Sequence, residues 1–230
     1  MKNYDYQKVL LSGEVTRSEV RYSQEGKAVA RFTLHTGNAY VSCVAFGKQA
    51  ENVEKYYKDG TRCHLEGTLS TGSYQDKDGN TVFTTDVMVY SLSFGYGGDY
   101  NVVILDGRCT REPEMRVTTN GKSVASVSLA VTRQQWGENA GDPKTDFPNV
   151  VAWEEQAEKL VSLGKGTRCS VEGHISTRSY EKNGKKVYVT EVVATSISVA
   201  PSETSTAAPS MDSEFMDIPE GFAEDLPFLQ

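Results

Sequence analysis

Apolar residues recur with two spacings along this chain. Most of it alternates. Val29, Arg31 and Thr33 interleave with Ala30, Phe32 and Leu34, and Val124, Ser126 and Ser128 interleave with Ala125, Val127 and Leu129. A period of two predicts strands with one buried and one wet face. Gly26, Gly79, Gly121 and Gly184 mark turns between such runs, and Lys77-Asp78-Gly79-Asn80 and Lys182-Asn183-Gly184-Lys185 have the composition of hairpin tips. Two segments break the alternation, Gln49 to Tyr57 and Glu155 to Leu163. In the second, Ala157, Leu160 and Val161 fall at i, i+3 and i+4, which predicts a short helix with one apolar stripe. Gly60 and Gly164 follow as stops.

The whole pattern occurs twice. Thr61 to Tyr74 reads TRCHLEGTLSTGSY, Thr167 to Tyr180 reads TRCSVEGHISTRSY, and nine of the fourteen positions are identical. Gly26-Lys27-Ala28-Val29-Ala30 matches Gly121-Lys122-Ser123-Val124-Ala125. Gln49-Ala50-Glu51 matches Gln156-Ala157-Glu158, and Thr85-Asp86-Val87 matches Thr190-Glu191-Val192. Order is kept, so a whole domain is duplicated. We expect one domain over residues 1–98, a second over 99–200, and a tail over 201–230. Each copy reads strand, strand, strand, helix, strand, strand. A five-stranded Greek-key barrel with a helix between its third and fourth strands is an OB-fold, which binds oligonucleotides on strands 2 and 3 and nearby loops. The expected class is all-β: two tandem OB-fold barrels plus a disordered acidic tail.

Composition narrows the chemistry. Hydrophobic residues make up 38% of the chain, and no run approaches the ~20 apolar residues of a membrane helix. The segment Met1 to Tyr6 has no apolar stretch of the signal-peptide kind, so a cytoplasmic protein is expected. Cys43, Cys63, Cys109 and Cys169 form no Cys-x-x-Cys pair, and His35, His64 and His174 fall at no ligand spacing. Buried thiols in a reducing compartment are the expected reading, with no metal and no cofactor. There is no phosphate-cradling glycine loop and no nucleophile elbow, so no enzyme is expected. Glu66 and Glu172, each followed by Gly, read as sheet surface or turn chemistry. The net charge of −7 lies wholly in residues 201–230, which hold seven acids and no base, while each barrel is neutral. An acidic end on a neutral body reads as an interaction tail.

The second copy resembles the bacterial and phage single-stranded DNA-binding protein family. The resemblance rests on Val103-Ile104-Leu105-Asp106-Gly107, Pro113-Glu114-Met115-Arg116, Gly121-Lys122-Ser123-Val124-Ala125, Val150-Val151-Ala152-Trp153 and Val171 to Arg178. The first copy shows the same scheme in Val9-Leu10-Leu11-Ser12-Gly13, Glu19-Val20-Arg21-Tyr22 and Cys43-Val44-Ala45-Phe46-Gly47-Lys48. It implies sequence-independent binding and protection of single-stranded DNA in replication, recombination and repair, near the nucleoid. Bases stack on aromatic rings because every base has a π-face. The positions that match stackers are Trp136, Phe147, Trp153 and Tyr180 in the second copy and Tyr40, Phe46 and Tyr74 in the first. Tyr188 and Phe83 pair across the repeats and join that set. A strand aromatic more often fills a core. Trp136, however, lies in the polar, turn-rich stretch from Thr132 to Pro143, where a hairpin tip offers no core. Phosphate contacts would come from Arg21, Arg31, Lys48, Arg111, Arg116, Lys122, Arg133, Arg178, Lys185 and Lys186. Arg133 and Arg178 stand nearest the proposed stackers, and such binding would weaken with salt.

The chain departs from the family in three ways. Between its second and third strands the second copy carries the excursion Arg133 to Asp146, where the first has only Gly37-Asn38-Ala39 and no counterpart of Trp136. Trp153 is followed by Glu154-Glu155, where the first copy has Gly47-Lys48. Most members carry one barrel per chain and assemble four chains. A two-barrel form implies a homodimer with four barrels.

Residues 201–210 are small and polar, with the composition of a disordered linker. Glu224-Asp225-Leu226-Pro227-Phe228 resembles the family's acidic tip, which docks replication and repair proteins. Pro227 and Phe228 suit a small apolar pocket, and Glu224 and Asp225 suit a basic rim. Leu229-Gln230 extend past the Phe. An OB module for RNA or protein is the alternative, and a cheap discriminator is quenching of tryptophan fluorescence by oligo-dT.

Overall fold

The computed structural model describes residues 4–199, apart from 38, 76, 78, 80, 134–141, 183 and 184, and without the side chains at 180, 182, 185 and 186. The described residues belong to one compact unit. The first repeat supplies β1 (Gln7–Tyr22), β2 (Ala28–Thr36), β3 (Ala39–Phe46), α1 (Lys48–Tyr56), β4 (Arg62–Gln75) and β5 (Thr81–Phe94). The second supplies β6 (Tyr100–Cys109), β7 (Glu114–Val117), β8 (Ser123–Arg133), β9 (Lys144–Asp146), β10 (Asn149–Trp153), α2 (Glu154–Val161), β11 (Arg168–Lys182) and β12 (Lys185–Val199).

Each repeat closes on itself as an OB barrel. In the first, β1 pairs with both β2 and β4, β2 with β3, β4 with β5, and β3 with β5 in parallel. In the second, β6 pairs with β8 and β11, β8 with β10, β11 with β12, and β10 with β12 in parallel. The alternation lands as expected. Ala30, Phe32 and Leu34 fill one interior and Ala125, Val127 and Leu129 the other. The helices plug their barrels with Ala50 and Val53, and with Ala157 and Leu160. Val161 departs from the predicted stripe. It is the last residue of α2 and stands 38% exposed, because it lies about 100° round the helix from Leu160, at the edge of the face that Ala157 and Leu160 bury.

Two strands of the second barrel are broken where the repeat predicts one strand each. Pro113 separates β6 from β7, and Pro148 separates β9 from β10. Proline brings no N–H and restricts the residue before it, so the ladder is interrupted there. In the first barrel the corresponding bend is a bulge in β1 between Thr16 and Glu19, with Arg17 at φ 54°.

The Glu-Gly pair common to both repeats has a structural cause. The β4–β5 ladder slips between Glu66 and Gly67, and the β11–β12 ladder between Glu172 and Gly173. A Cβ at Gly67 would stand 2.3 Å from the Met88 carbonyl oxygen, and one at Gly173 2.2 Å from that of Val193. These bulges therefore need glycine for close backbone approach. All four cysteines are buried and free, and burial pushes the Cys63 thiol up to about 12.

The barrels join along β1 and β6, antiparallel from Gln7↔Leu105 to Ser12↔Tyr100. The joint is reciprocal. Ahead of β1, the Asp5 carboxylate accepts from the Thr132 amide at 2.9 Å and pairs with Arg168 at 2.9 Å. Ahead of β6, the Asp99 carboxylate accepts from the Gly37 amide at 2.9 Å and pairs with Arg62. That amide and Arg62 hold the Asp99 carboxyl below the usual carboxylate range. Next along, Asn101 exchanges two hydrogen bonds with the Ile175 backbone, both 2.8 Å, while Gln7 accepts one from the Leu69 amide at 3.1 Å.

Candidate nucleic-acid interface

The strand 2–3 face of each barrel carries its aromatics at matching places. In β3, Ala39, Val41, Cys43 and Ala45 point inward. Tyr40 and Phe46 therefore share the outer side, 57% and 51% exposed, roughly 20 Å apart along the strand. Beside them on β2 lie His35, whose ring stacks on Tyr40 with centroids 4.5 Å apart, and the exposed Arg31. Lys48 opens α1 just past Phe46 and is exposed. In the second barrel Asp146, Val150 and Ala152 point inward. Phe147 and Trp153 are left outward, 53% and 41% exposed. Between the two rings of each row a valine of the same parity, Val44 or Val151, is buried, while the rings themselves stay exposed, and exposed aromatics on a barrel face are what base stacking uses.

The cations around the rows differ. The repeat places Ser126 where the first barrel has Arg31, and Glu154-Glu155 where it has Gly47-Lys48. Glu155 pairs with Lys159 at 2.9 Å, and that hydrogen-bonded pair lowers its carboxyl pKa. Glu154 stands at φ 48°, matching Gly47 at 52°. The second barrel thus keeps a turn shaped for glycine and puts a carboxylate on it.

The remaining aromatics sit on the two long hairpins. Tyr74 is 57% exposed near the end of β4, and Phe83, 79% exposed, faces Ser73 across the ladder. Tyr188 is 64% exposed opposite Ser179. Tyr180 has its backbone in β11, but its side chain lies outside the described residues, as do those of Lys185 and Lys186. Trp136 and the tip residues Glu224, Asp225, Leu226, Pro227 and Phe228 lie wholly outside them.

Several cations are engaged with acids. Arg21 pairs with Glu19 at 2.7 Å, and Arg111 and Arg116 pair with Glu114 at 3.5 and 3.1 Å. Arg178 donates to the buried Glu191 at 2.9 Å. Arg133 differs most from its expected place. It is 13% exposed, and its Nε donates to Asp146 at 2.5 Å. Asp146 is fully buried, also pairs with Lys144 at 3.7 Å, and accepts from the Thr71 amide of the first barrel at 2.7 Å. Lys122 is exposed beside the β7–β8 turn, its amide bonded to Thr118. The sequence reading missed Asp146 and the Asp5 and Asp99 clasps. Their signal was present, since both repeats begin Asp-Tyr and both carry Arg in Thr-Arg-Cys.

Among the described residues no cluster of His, Cys, Asp and Glu is placed to hold a metal ion, and no helix is long and apolar enough to cross a membrane.

Two closed OB barrels with exposed aromatics on their strand 2–3 faces define a tandem OB-fold protein. The model of the single-strand binding protein family matches the chain twice, over residues 6–95 and 100–200, and the chain belongs to that family. A single-stranded DNA-binding protein of Halalkalibacterium halodurans is 48% identical over 99 residues, covering 42% of this chain and 58% of that protein. The single-stranded DNA-binding protein 2 of Streptococcus agalactiae serotype III is 46% identical over 109 residues, 47% of this chain and 82% of that protein. The crystal structure of the wild-type single-stranded DNA-binding protein from Thermus aquaticus superposes with a TM-score of 0.69 at 26% identity, covering 86% of this chain and 94% of that one.

Proposed function

We propose that this protein binds single-stranded DNA without sequence preference and shields it during replication, recombination and repair. The binding elements are the barrels of residues 1–98 and 99–200. The observation that carries this reading is the doubled row, Tyr40 with Phe46 and Phe147 with Trp153, exposed on equivalent faces. Stacking of this kind contributes about 1–3 kcal/mol per base and tolerates any sequence. Arg31 and Lys48 add phosphate contacts on the first barrel, and binding there weakens with salt because releasing condensed counterions into a saltier solution gains less entropy. The role is binding rather than catalysis, in the compartment that holds the DNA. The tip from Glu224 to Phe228 serves as a docking peptide for replication and repair proteins. Two chains pair to present four barrels, and the exposed Val102 on β6, at the middle of the joined sheet, supports a face available to a second copy.

Titration of tryptophan fluorescence with oligo-dT at low and high salt tests the reading. Saturable quenching is expected, weaker at high salt, with affinity reduced roughly tenfold in Trp136→Ala and in Phe147→Ala. An absence of quenching would reject DNA-strand binding and favour a protein-docking OB module.

A further inference from the structure

The β4–β5 hairpin leaves the first barrel and lands on the second. β1 covers β4 only from Arg62 to Gly67, so beyond Gly67 that edge of β4 lies outside the β1 ladder. It is taken up by the neighbouring barrel. Thr71 donates its amide to Asp146, 2.7 Å, and its hydroxyl accepts from the Phe147 amide, 2.8 Å. Ser70 accepts from Arg133 and Lys144, both 3.3 Å. The anchor is a built one, since Asp146 is fully buried and held by two cations.

This anchor sets which face of the hairpin looks toward Phe147. The Thr71 side chain is the one bonded to the Phe147 backbone. Side chains alternate along a strand, so Ser73 shares the face of Thr71. Directly across the ladder, Thr85 opposes Thr71 and Phe83 opposes Ser73, so Phe83 lies on that same face. It is 79% exposed. Its Cα lies on β5, two rungs of the ladder or about 7 Å further out along the ribbon than the Thr71–Thr85 pair. A bare phenyl ring held there gains nothing from either core.

Resting on the strand-binding reading, we infer that Phe83 of the first barrel belongs to the DNA site of the second. A strand stacked on Trp153 and Phe147 continues onto Phe83 at the Thr71–Asp146 anchor, so the two barrels share a crossing point. The second barrel's footprint then depends on a hairpin encoded in the first repeat.

Both tryptophans, Trp136 and Trp153, lie in the second repeat, so tryptophan quenching reads that site alone. The test titrates the full chain with dT of about eight nucleotides, within the site size of one OB-fold. Phe83→Ala should weaken tryptophan-reported binding roughly tenfold, although residue 83 lies in the first repeat. Tyr96→Ala, which removes another exposed ring (83% exposed) from the segment between β5 and β6, should leave it within about twofold. Thermal melts confirm that both variants fold. Phe83→Ala binding within twofold of wild type, or Tyr96→Ala weakening it equally, would overturn the shared crossing. Absence of quenching in the wild type would instead remove the strand-binding reading beneath it.

Discussion

Arg133 and Asp146 hold each other where neither would be stable alone. A carboxylate removed from water is tolerated when paired and hydrogen-bonded, and removing its partner strands the charge. Arg133→Ala should therefore lower unfolding stability by about 3 kcal/mol, read as a shift in urea midpoint. Replacing the pair together with Met and Leu should recover most of that loss. An arginine beside a proposed stacker reads in sequence as a phosphate contact because charge shows there and depth does not. What decides its role is an acid thirteen positions away that folds beneath it. The exposure of the aromatic rows was legible for the opposite reason. Tyr40, Phe46 and Trp153 sit in strands at positions that alternate with buried small or aliphatic residues such as Val41, Ala45 and Ala152, and that parity survives folding.

Strand by strand, the repeat announced its own geometry, except where a proline or a bulge intervened. The Glu-Gly pairs at Glu66-Gly67 and Glu172-Gly173 were visible as a motif, but their meaning depends on the partner strand pressing a carbonyl against the glycine. Gly67→Ala and Gly173→Ala should each cost about 2–3 kcal/mol through overpacking, measured by thermal melting, with each barrel suffering from its own substitution. The helix starts carry a quieter conflict. Glu154 holds the left-handed conformation that Gly47 adopts without strain in the other repeat. Nothing in the spacing of apolar residues reports a sign of φ, which is why this strain was not read from the sequence.

At the scale of the molecule, β1 and β6 turn two barrels into one twelve-stranded sheet, and the Asp5 and Asp99 clasps bolt the seam from both ends. Their pH behaviour follows from the direction of the shift. The Asp99 carboxyl lies below its ordinary range in the folded chain. Its contribution is present above about pH 4 and is lost as the pH falls through the folded value. Asp99→Asn should lower the melting temperature at neutral pH and flatten the acid limb of a profile taken between about pH 5 and pH 2, the two proteins converging at the acid end. The duplication was plain in the sequence. That its halves clasp each other was not, because a pairing between copies leaves no periodicity in either one.

The seam also governs how the protein is able to change. Were the barrels separate identical chains meeting about a two-fold axis, any substitution at their boundary would appear on both sides at once. Tied into a single chain, the halves inherit changes independently. Ala39 answers Asp146, Gly47 answers Glu154, and Asn101 makes two bonds where Gln7 makes one. One flank is free to become a rigid bolt while the other stays a light latch, a division of labour that a symmetric pair has no means to pass on.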